Sequence, residues 1–282
     1  MYIFNHNIRI GVSYYKENIL EGACGIMLPM RFLFEKEFKK VVLNKSFLVF
    51  IAAFLLNVIS LIAEYIDRSK SVMFHAGVHM KGEGIEFFLK NQIGNFGVLV
   101  LYLCPLLLIS SPLFSNEYKQ NMVAQILVTK YGRSKDVVIK ILCTMFISFL
   151  WIVTCYCSSL ILSYTFFDTG FSMDRETVSI LIHCFINMTL GCFLMNAIFI
   201  FVSTMMKSNI SATLLNFVLI IMPMYITSSN RVVNLIPIIG MEANNYLKNN
   251  TGYIGAWIFY VIAGIAFLIL SQIRMQSLCL RN

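Results

Sequence analysis

The sequence predicts an all-α membrane protein with six transmembrane helices. Of its 282 residues, 58% are hydrophobic and only 13% are charged, whereas soluble domains carry about 25% charged residues. Apolar runs of roughly 20 residues, the length that crosses ~30 Å of hydrocarbon as a helix, recur along the chain. Helices are favoured over strands in these runs because a helix satisfies its own backbone polar groups in lipid.

Six apolar runs define the predicted spans. They cover Ser46–Ile66, Phe96–Phe114 and about 137–166, 178–206, 212–227 and 253–273, the fifth being the shortest. Residues 46–273 therefore form the transmembrane domain, followed by a short cytoplasmic tail at 274–282. Residues 1–30 have no continuous apolar segment of the signal-peptide type. They are interpreted as an N-terminal tail, or alternatively as sequence upstream of a true start at Met27 or Met30.

The basic residues predict the orientation of the chain. The formal net charge is +8, and the 22 Lys and Arg residues lie in short segments between the apolar runs. If the N-terminus is cytoplasmic, about twice as many of them fall inside as outside, as the positive-inside rule requires. We therefore expect a multi-pass protein of the plasma membrane with both termini in the cytoplasm. Charges dispersed in this way do not indicate a nucleic-acid partner.

Residues 31–45 have the pattern of an amphipathic helix at the membrane surface. Phe34 and Phe38 recur at the helical interval, whereas Lys39 and Lys40 fall mainly on the other side. Such a helix lies with its apolar face in the lipid and its lysines near anionic headgroups. An amphipathic helix can also pack on a soluble domain, but the sequence offers no such domain here.

The segment SNEYKQNMVAQILVTKYGRSKDVVIK, residues 115–140, separates the second and third apolar runs. Met122 and Ile126 belong to an apolar stripe that predicts a short helix at the membrane surface. Gly132 can end that helix in a left-handed cap, and Ser134 can cap the next one. A short helix tied in this way to two spans is suited to transmit a movement from a cytoplasmic partner.

Two long segments, residues 67–95 and 228–251, are predicted on the outer side. The second contains the apolar sequence LIPIIGM, with Pro237 and Gly240. This run is too short to cross the bilayer, and it is a candidate re-entrant segment, which is tolerated where protein or a wet cavity covers it.

Motifs for common catalytic and nucleotide sites are missing from the sequence. There is no G-x-x-x-x-G-K-[ST] loop, no H-E-x-x-H and no G-x-S-x-G. His75 and His79 are spaced for one helical face, but they are interpreted as solvated loop residues, so no metal site is expected. The eight cysteines form no C-x-x-C pair and mostly lie in apolar runs, so they are interpreted as small apolar residues.

Polar residues inside the predicted spans are the remaining candidates. Asn57, Asn187, Asn196 and Asn216 are interpreted as groups that form hydrogen bonds between helices. His183 is the one strongly ionisable candidate well inside a span, and it would be the centre of an intramembrane enzyme. Such a centre needs further convergent groups, which the sequence does not indicate. The spans also lack a central Asp or Glu, which argues against a proton-driven pump.

The order of these features resembles the ABC-2 type permeases, the membrane subunits of one class of ABC exporter. In LFSNEYKQNMVAQILVTKYGRSKDVVIKIL, an acidic residue follows the second span, and an apolar helix, a basic residue and a Lys-containing third span come next. Here these features are Glu117, the stripe ending at Leu127, Arg133 and Lys140. The chain also resembles these permeases in its surface helix before the first span, its six spans, its long first outer loop and the apolar sequence LIPIIG. The resemblance covers about Arg31–Ile273.

The resemblance implies a permease subunit of an ATP-driven exporter. ATP and Mg²⁺ would bind a separate ATPase chain, with no cofactor on this one, and a second permease subunit would complete a homodimer or heterodimer. The apolar chain favours an amphipathic or hydrophobic cargo, such as an antimicrobial peptide, a drug or a lipid-linked molecule. The alternatives are an intramembrane enzyme centred on His183 and a non-transporting assembly or sensor subunit of an ABC complex. The residues expected to couple the chain to the ATPase are Glu117, Tyr118, Met122, Gln125, Ile126, Arg133 and Lys140.

Overall fold

The described part of the chain is helical. A computed structural model describes residues 34–35, 37–39, 46–74, 88–89, 95–119, 137–166, 175–225, 235–241 and 253–277, and no strand occurs among them. The helices are α1 (Ser46–Phe74), α2 (Phe96–Ser110), α3 (Pro112–Lys119), α4 (Val137–Phe166), α5 (Arg175–Met205), α6 (Asn209–Ile221, continued by a 3-10 turn at Met222–Tyr225), α7 (Pro237–Met241) and α8 (Tyr253–Ser277).

Each of the six predicted spans corresponds to helical structure, and four stretches are long and apolar enough to cross a membrane. These four are Phe96–Ser115, Val137–Thr165, Thr177–Met205 and Ile254–Ser277. The apolar parts of α1 and α6, Leu48–Ala63 and Asn209–Ile221, are shorter. In α1 the apolar run is limited by charged residues that begin at Glu64. The structure thus shows an all-α membrane protein, and the count of six spans stays a prediction.

The central helix of the bundle is α5. It packs against α2, α3, α4, α6, α7 and α8. Its residues Met188, Ala197, Phe199 and Ile200 are fully buried, as expected for a helix that is apolar on all sides. By contrast, only 22% of the residues in the most apolar stretch of α8 are buried, against 61% in that of α5. Helix α8 therefore lies at the periphery of the bundle.

The main apolar core joins α1, α2, α4 and α5, and a polar group ties three of these helices together. Trp151 Nε1 donates to the carbonyl of Tyr102 at 3.0 Å, which bonds α4 to α2. The Tyr102 hydroxyl lies 3.0 Å from Ser159 Oγ, which accepts from Asn57 Nδ2 at 2.8 Å. Asn57 therefore connects α1 to α4.

The outward surface of the bundle is strongly apolar. Ile210 on α6 is 73% exposed and Ile254 on α8 is 70% exposed, and large apolar side chains are also exposed along α1 and α4. A surface of this kind suits hydrocarbon and not water, which agrees with the membrane assignment.

The described part of the predicted surface helix packs on α4. Phe34 and Phe38 stack with ring centroids 6.4 Å apart, and both rings contact Phe146, at 6.0 and 6.5 Å. On the exposed side, Lys39 Nζ lies 2.7 Å from a carboxylate oxygen of Glu35. The remainder of residues 31–45, including Lys40, lies outside the described residues.

The close approach of α8 to α5 predicts a difference between two glycines on α8. A Cβ at Gly264 would overlap the ring of Phe193, whereas a Cβ at Gly255 would meet nothing within 4 Å. We expect Gly264→Ala to destabilise the protein by about 1–3 kcal/mol, the usual effect of overpacking. The control, Gly255→Ala, is expected to be neutral or slightly stabilising because alanine favours helix. Thermal unfolding in detergent compares the two, and equal midpoints would contradict this packing.

Candidate functional site

The second span is interrupted at Ser111, where the chain leaves the bundle core for the segment between spans two and three. Helix α2 ends at Ser110 and α3 begins at Pro112. Proline has no backbone N–H, so the helical hydrogen-bond ladder is broken at this point. In a membrane interior the freed backbone groups need partners from the protein itself.

A single hydroxyl from α5 bridges the interruption. Ser203 Oγ accepts from the N–H of Phe114 at 3.0 Å and from the N–H of Ser115 at 3.4 Å. It also donates to the carbonyl of Ser111 at 2.7 Å. The Ser203 hydroxyl thus supplies both an acceptor and a donor to the broken ladder, and it bonds α3 directly to the central helix.

Two asparagines extend this contact to further helices. Asn216 of α6 donates to Ser111 Oγ at 2.9 Å. Asn196 of α5 accepts from Ser110 Oγ and donates to Ser148 Oγ of α4 at 2.7 Å. We call the group formed by Ser110, Ser111, Ser148, Asn196, Ser203 and Asn216 the polar joint. Its six side chains are buried, and they connect the α2–α3 junction to α4, α5 and α6.

Apolar packing reinforces the joint on the other side of α3. Phe114 is fully buried and packs in a cluster with Val137 and Ile141 of α4, Ile200 of α5 and Met275 of α8. The first turn of α3 is therefore inserted among three long helices. A displacement of α3 cannot remain local, because well-packed interiors transmit strain.

The predicted coupling residues fall at or beyond this joint. Glu117 and Tyr118 lie in the last turn of α3. Met122, Gln125, Ile126 and Arg133 lie outside the described residues. Lys140 is in the first turn of α4 with 4% of its surface exposed, and its carbonyl accepts from the Thr144 hydroxyl at 2.9 Å.

Sequence reasoning missed the serines of the joint. The asparagines Asn196 and Asn216 stand out in the sequence as polar residues inside apolar spans, whereas Ser111 and Ser203 do not. The triplet Ser-Ser-Pro at 110–112 inside the apolar run LLLISSPLF carries the signal. A proline in such a run frees backbone groups, and small hydroxyl residues are suited to bond them.

The N-terminal half of α5 holds two further polar residues that the sequence predicts, His183 and Asn187. His183 Nδ1 donates to the carbonyl of Ser179 at 2.6 Å, and its ring stacks on Trp257 with centroids 5.8 Å apart. Asn187 Nδ2 donates to the carbonyl of Gly240 on α7, and Asn187 Oδ1 accepts from Trp257 Nε1 at 3.1 Å. These contacts place Asn187 at a junction of α5, α7 and α8.

The described residues do not assemble a metal site. Among them, no group of three or more His, Cys, Asp and Glu side chains is arranged to hold a metal ion. The polar groups of the joint and those around Asn187 are neutral, and they form hydrogen bonds between helices.

The geometry of the joint predicts the effect of Ser203→Ala. Loss of the hydroxyl removes the acceptor that the N–H groups of Phe114 and Ser115 share, whereas the Ser111 carbonyl keeps the Ser115 hydroxyl as a donor at 2.7 Å. We therefore expect a loss of about 1–3 kcal/mol of stability. The matched control is Ser271→Ala, because Ser271 is equally buried but donates only to Phe267 of its own helix. Hydrogen exchange at residues 113–116 should accelerate in Ser203→Ala alone. Equal exchange in both variants would contradict the bridging role.

Comparison with known proteins supports the family resemblance. A family model described as ABC-2 family transporter protein matches residues 33–223, about two thirds of the chain. No curated protein and no solved structure shows significant similarity to it. The matched region includes the polar joint, the segment that follows it, four of the six predicted spans and most of the fifth. The chain therefore belongs to the ABC-2 family of transporter proteins.

Proposed function

We propose that the chain is the permease subunit of an ATP-driven exporter, powered by an ATPase on a separate chain. The observation that carries the proposal is the polar joint. The segment 115–140 begins on α3, which is bonded to α5 and inserted among α4, α5 and α8. The residue just before α3, Ser111, is bonded to α6. A force that a partner protein applies to this segment at the membrane surface would be transmitted to every helix that contacts the polar joint.

The proposed topology has six spans with both termini in the cytoplasm. The helices α1 and α6 supply the two spans beyond the four of clear membrane length. The distribution of Lys and Arg supports this orientation. Residues 31–45 then form the interfacial helix, and the packing of Phe34 and Phe38 on Phe146 supports a position beside the inner half of α4. In the same topology α7 lies on a re-entrant segment entered from the outer side.

The ATPase contact is assigned to the segment that begins with α3. Glu117 and Tyr118 would lie at its start, followed by Met122, Gln125 and Ile126 on a short surface helix. Arg133 would anchor the turn that leads into α4. Lys140 would anchor the other end, which its burial in the first turn of α4 supports.

The remaining assignments concern the complete transporter. ATP and Mg²⁺ would bind the ATPase, and a second permease subunit, identical or related, would pack on an apolar outward face of the bundle. The transporter would act in the plasma membrane and export an amphipathic or hydrophobic cargo, such as an antimicrobial peptide, a drug or a lipid-linked molecule. The scarcity of charge inside the spans supports a cargo of this kind.

Co-purification tests the proposal directly. Mild extraction of the chain from its native membrane should recover an ATPase subunit in equal number, with ATP hydrolysis in the complex. Recovery of the chain as a stable monomer without an ATPase would overturn the proposal. An ATPase partner without nucleotide-dependent change in the permease would instead favour an assembly or sensor subunit.

The role of Glu117 is tested in the same complex. We expect Glu117→Ala to assemble normally but to lower permease-stimulated ATP hydrolysis by about tenfold, the effect of roughly 1.4 kcal/mol lost at the contact. The control is Glu86→Ala, an acidic residue of the predicted outer segment 67–95, which should leave hydrolysis unchanged. Wild-type stimulation in Glu117→Ala would remove Glu117 from the coupling contact and leave the permease assignment standing.

A further inference from the structure

The contact of α1 with the rest of the bundle contains a group of neutral polar side chains. Helix α1 packs against α2 and α4. Its buried side chains with described surroundings are Phe50, Ala53, Asn57 and Leu61. Asn57 Nδ2 donates to Ser159 Oγ of α4 at 2.8 Å, and the same oxygen lies 3.0 Å from the Tyr102 hydroxyl of α2. Polar groups from three helices therefore meet inside an apolar core.

Two polar atoms of this region have no hydrogen-bond partner in the described part of the chain. They are Asn57 Oδ1 and Ser163 Oγ, and their residues are 2% and 0% exposed. The hydroxyls of Ser110 and Ser148 donate to the carbonyl four residues earlier, but that of Ser163 does not. A buried amide or hydroxyl without a partner destabilises the folded state, and native proteins usually satisfy such groups with protein atoms or ordered water.

The two atoms flank the same serine. Asn57 is bonded to Ser159, and Ser163 is one helical turn further along α4, where side chains four residues apart lie about 5–6 Å from each other. Asn57 Oδ1 only accepts hydrogen bonds, whereas the Ser163 hydroxyl both donates and accepts. A water molecule, which makes about three hydrogen bonds when buried, matches these requirements.

The polar group lies at one depth on all three helices. Asn57, Tyr102 and Ser159 are each six residues from one end of the apolar stretch of their helix. The stretches are Leu48–Ala63, Phe96–Ser115 and Val137–Thr165. At 1.5 Å per residue, six residues correspond to about 9 Å. Ser163 is two residues from the same end of α4, so it lies between Ser159 and the membrane surface, and water has only a short distance to travel.

From these contacts we propose that Asn57, Ser159 and Ser163 form a binding site for buried water between α1 and α4. The three side chains are neutral and offer fewer oxygen atoms than the about six to eight that a Ca²⁺ ion takes, so a neutral ligand is favoured over a cation. The bound water completes the hydrogen bonding of α1 to the bundle. The site does not depend on the proposed function, and the proposed topology adds only that it lies nearer the outer side.

Tyr102 reports on the site, and Tyr260 of α8 is its matched control. Tyr102 is 1% exposed and its hydroxyl contacts Ser159, whereas Tyr260 is 0% exposed and lies in an apolar cluster between α5 and α8. Tyr260 is also six residues from the end of its apolar stretch, Ile254–Ser277, so the two tyrosines lie at similar depth. X-ray radiolysis of a bound water releases hydroxyl radicals that oxidise the side chains around it.

The test irradiates the full chain in lipid nanodiscs and measures the oxidation of both tyrosines by mass spectrometry. We expect Tyr102 to be oxidised severalfold faster than Tyr260. Asn57→Leu and Ser163→Ala each remove an atom that holds the water, and each should lower the Tyr102 rate toward that of Tyr260. The control variant is Ser271→Ala, since Ser271 is equally buried but donates to a carbonyl of its own helix, and it should leave the Tyr102 rate unchanged.

Thermal unfolding of Ser163→Ala is a second measurement. If water is bonded to Ser163, the substitution removes a satisfied hydrogen bond, and the unfolding midpoint should fall. If the site is dry, the substitution removes a buried hydroxyl that has no partner, and the midpoint should rise. The sign of the shift separates the two cases even where Asn57→Leu fails to fold.

Three results would overturn the water site. The first is equal oxidation of Tyr102 and Tyr260 in the unsubstituted chain. The second is a Tyr102 rate that neither Asn57→Leu nor Ser163→Ala lowers. The third is a higher unfolding midpoint in Ser163→Ala. These measurements need neither an ATPase nor a cargo, so a negative result leaves the permease assignment unaffected.

Discussion

The interaction on which the described structure most depends is the bridge from Ser203 to the broken ladder at Ser111. A transmembrane helix can be interrupted only if other protein groups satisfy the backbone that the interruption frees. Here one hydroxyl accepts two N–H groups and donates to one carbonyl. Because these partners sit on a different helix, the requirement for satisfied backbone groups becomes a mechanical connection between α3 and the core.

This connection explains why α5 is the central helix. The half of α5 that contains Asn196 and Ser203 bonds the elements leading toward the segment 115–140. The other half, at Asn187 and Gly191, holds α7. Apolar packing around the rest of α5 keeps it buried, so one helix carries both polar contacts, one near its middle and one near its C-terminal end. Neutral groups suffice for both contacts, which avoids the cost of burying charge in a membrane.

Much of the fold follows from the sequence, because the requirement for long apolar helices in a membrane is both a strong structural constraint and easy to recognise in a sequence. Six apolar runs predicted six helices, and helical structure is found in each of them. Four of these helices contain an apolar stretch long enough to cross a membrane, and the apolar stretches of α1 and α6 are shorter. Charged residues interrupt the end of α1. Helix α6 has only 13 residues before its 3-10 turn. The family resemblance, based on the order of features around Glu117 and Lys140, is confirmed by the family match.

The polar joint was less predictable, for a physical reason. Asparagine is conspicuous in an apolar run because its side-chain amide needs hydrogen-bond partners, so the sequence alone indicates Asn196 and Asn216. Serine is small and often bonds the carbonyl four residues earlier in its own helix, as Ser271 does. A serine in the sequence therefore does not reveal whether it has that role or the interhelical role of Ser203. Only the register between α3 and α5, which depends on packing around Phe114, decides which serine faces the broken ladder.

The two irregular parts of the described structure are held in the same way. At Ser111 and at α7 the chain departs from a regular transmembrane helix, and in both places a neutral side chain of α5 bonds a main-chain carbonyl of the irregular element. Each irregular element is also packed through buried side chains, Phe114 in α3 and Ile238 in α7. Because α5 both bonds and packs against the two elements, a displacement that enters at α3 has in α5 a direct physical route to α7.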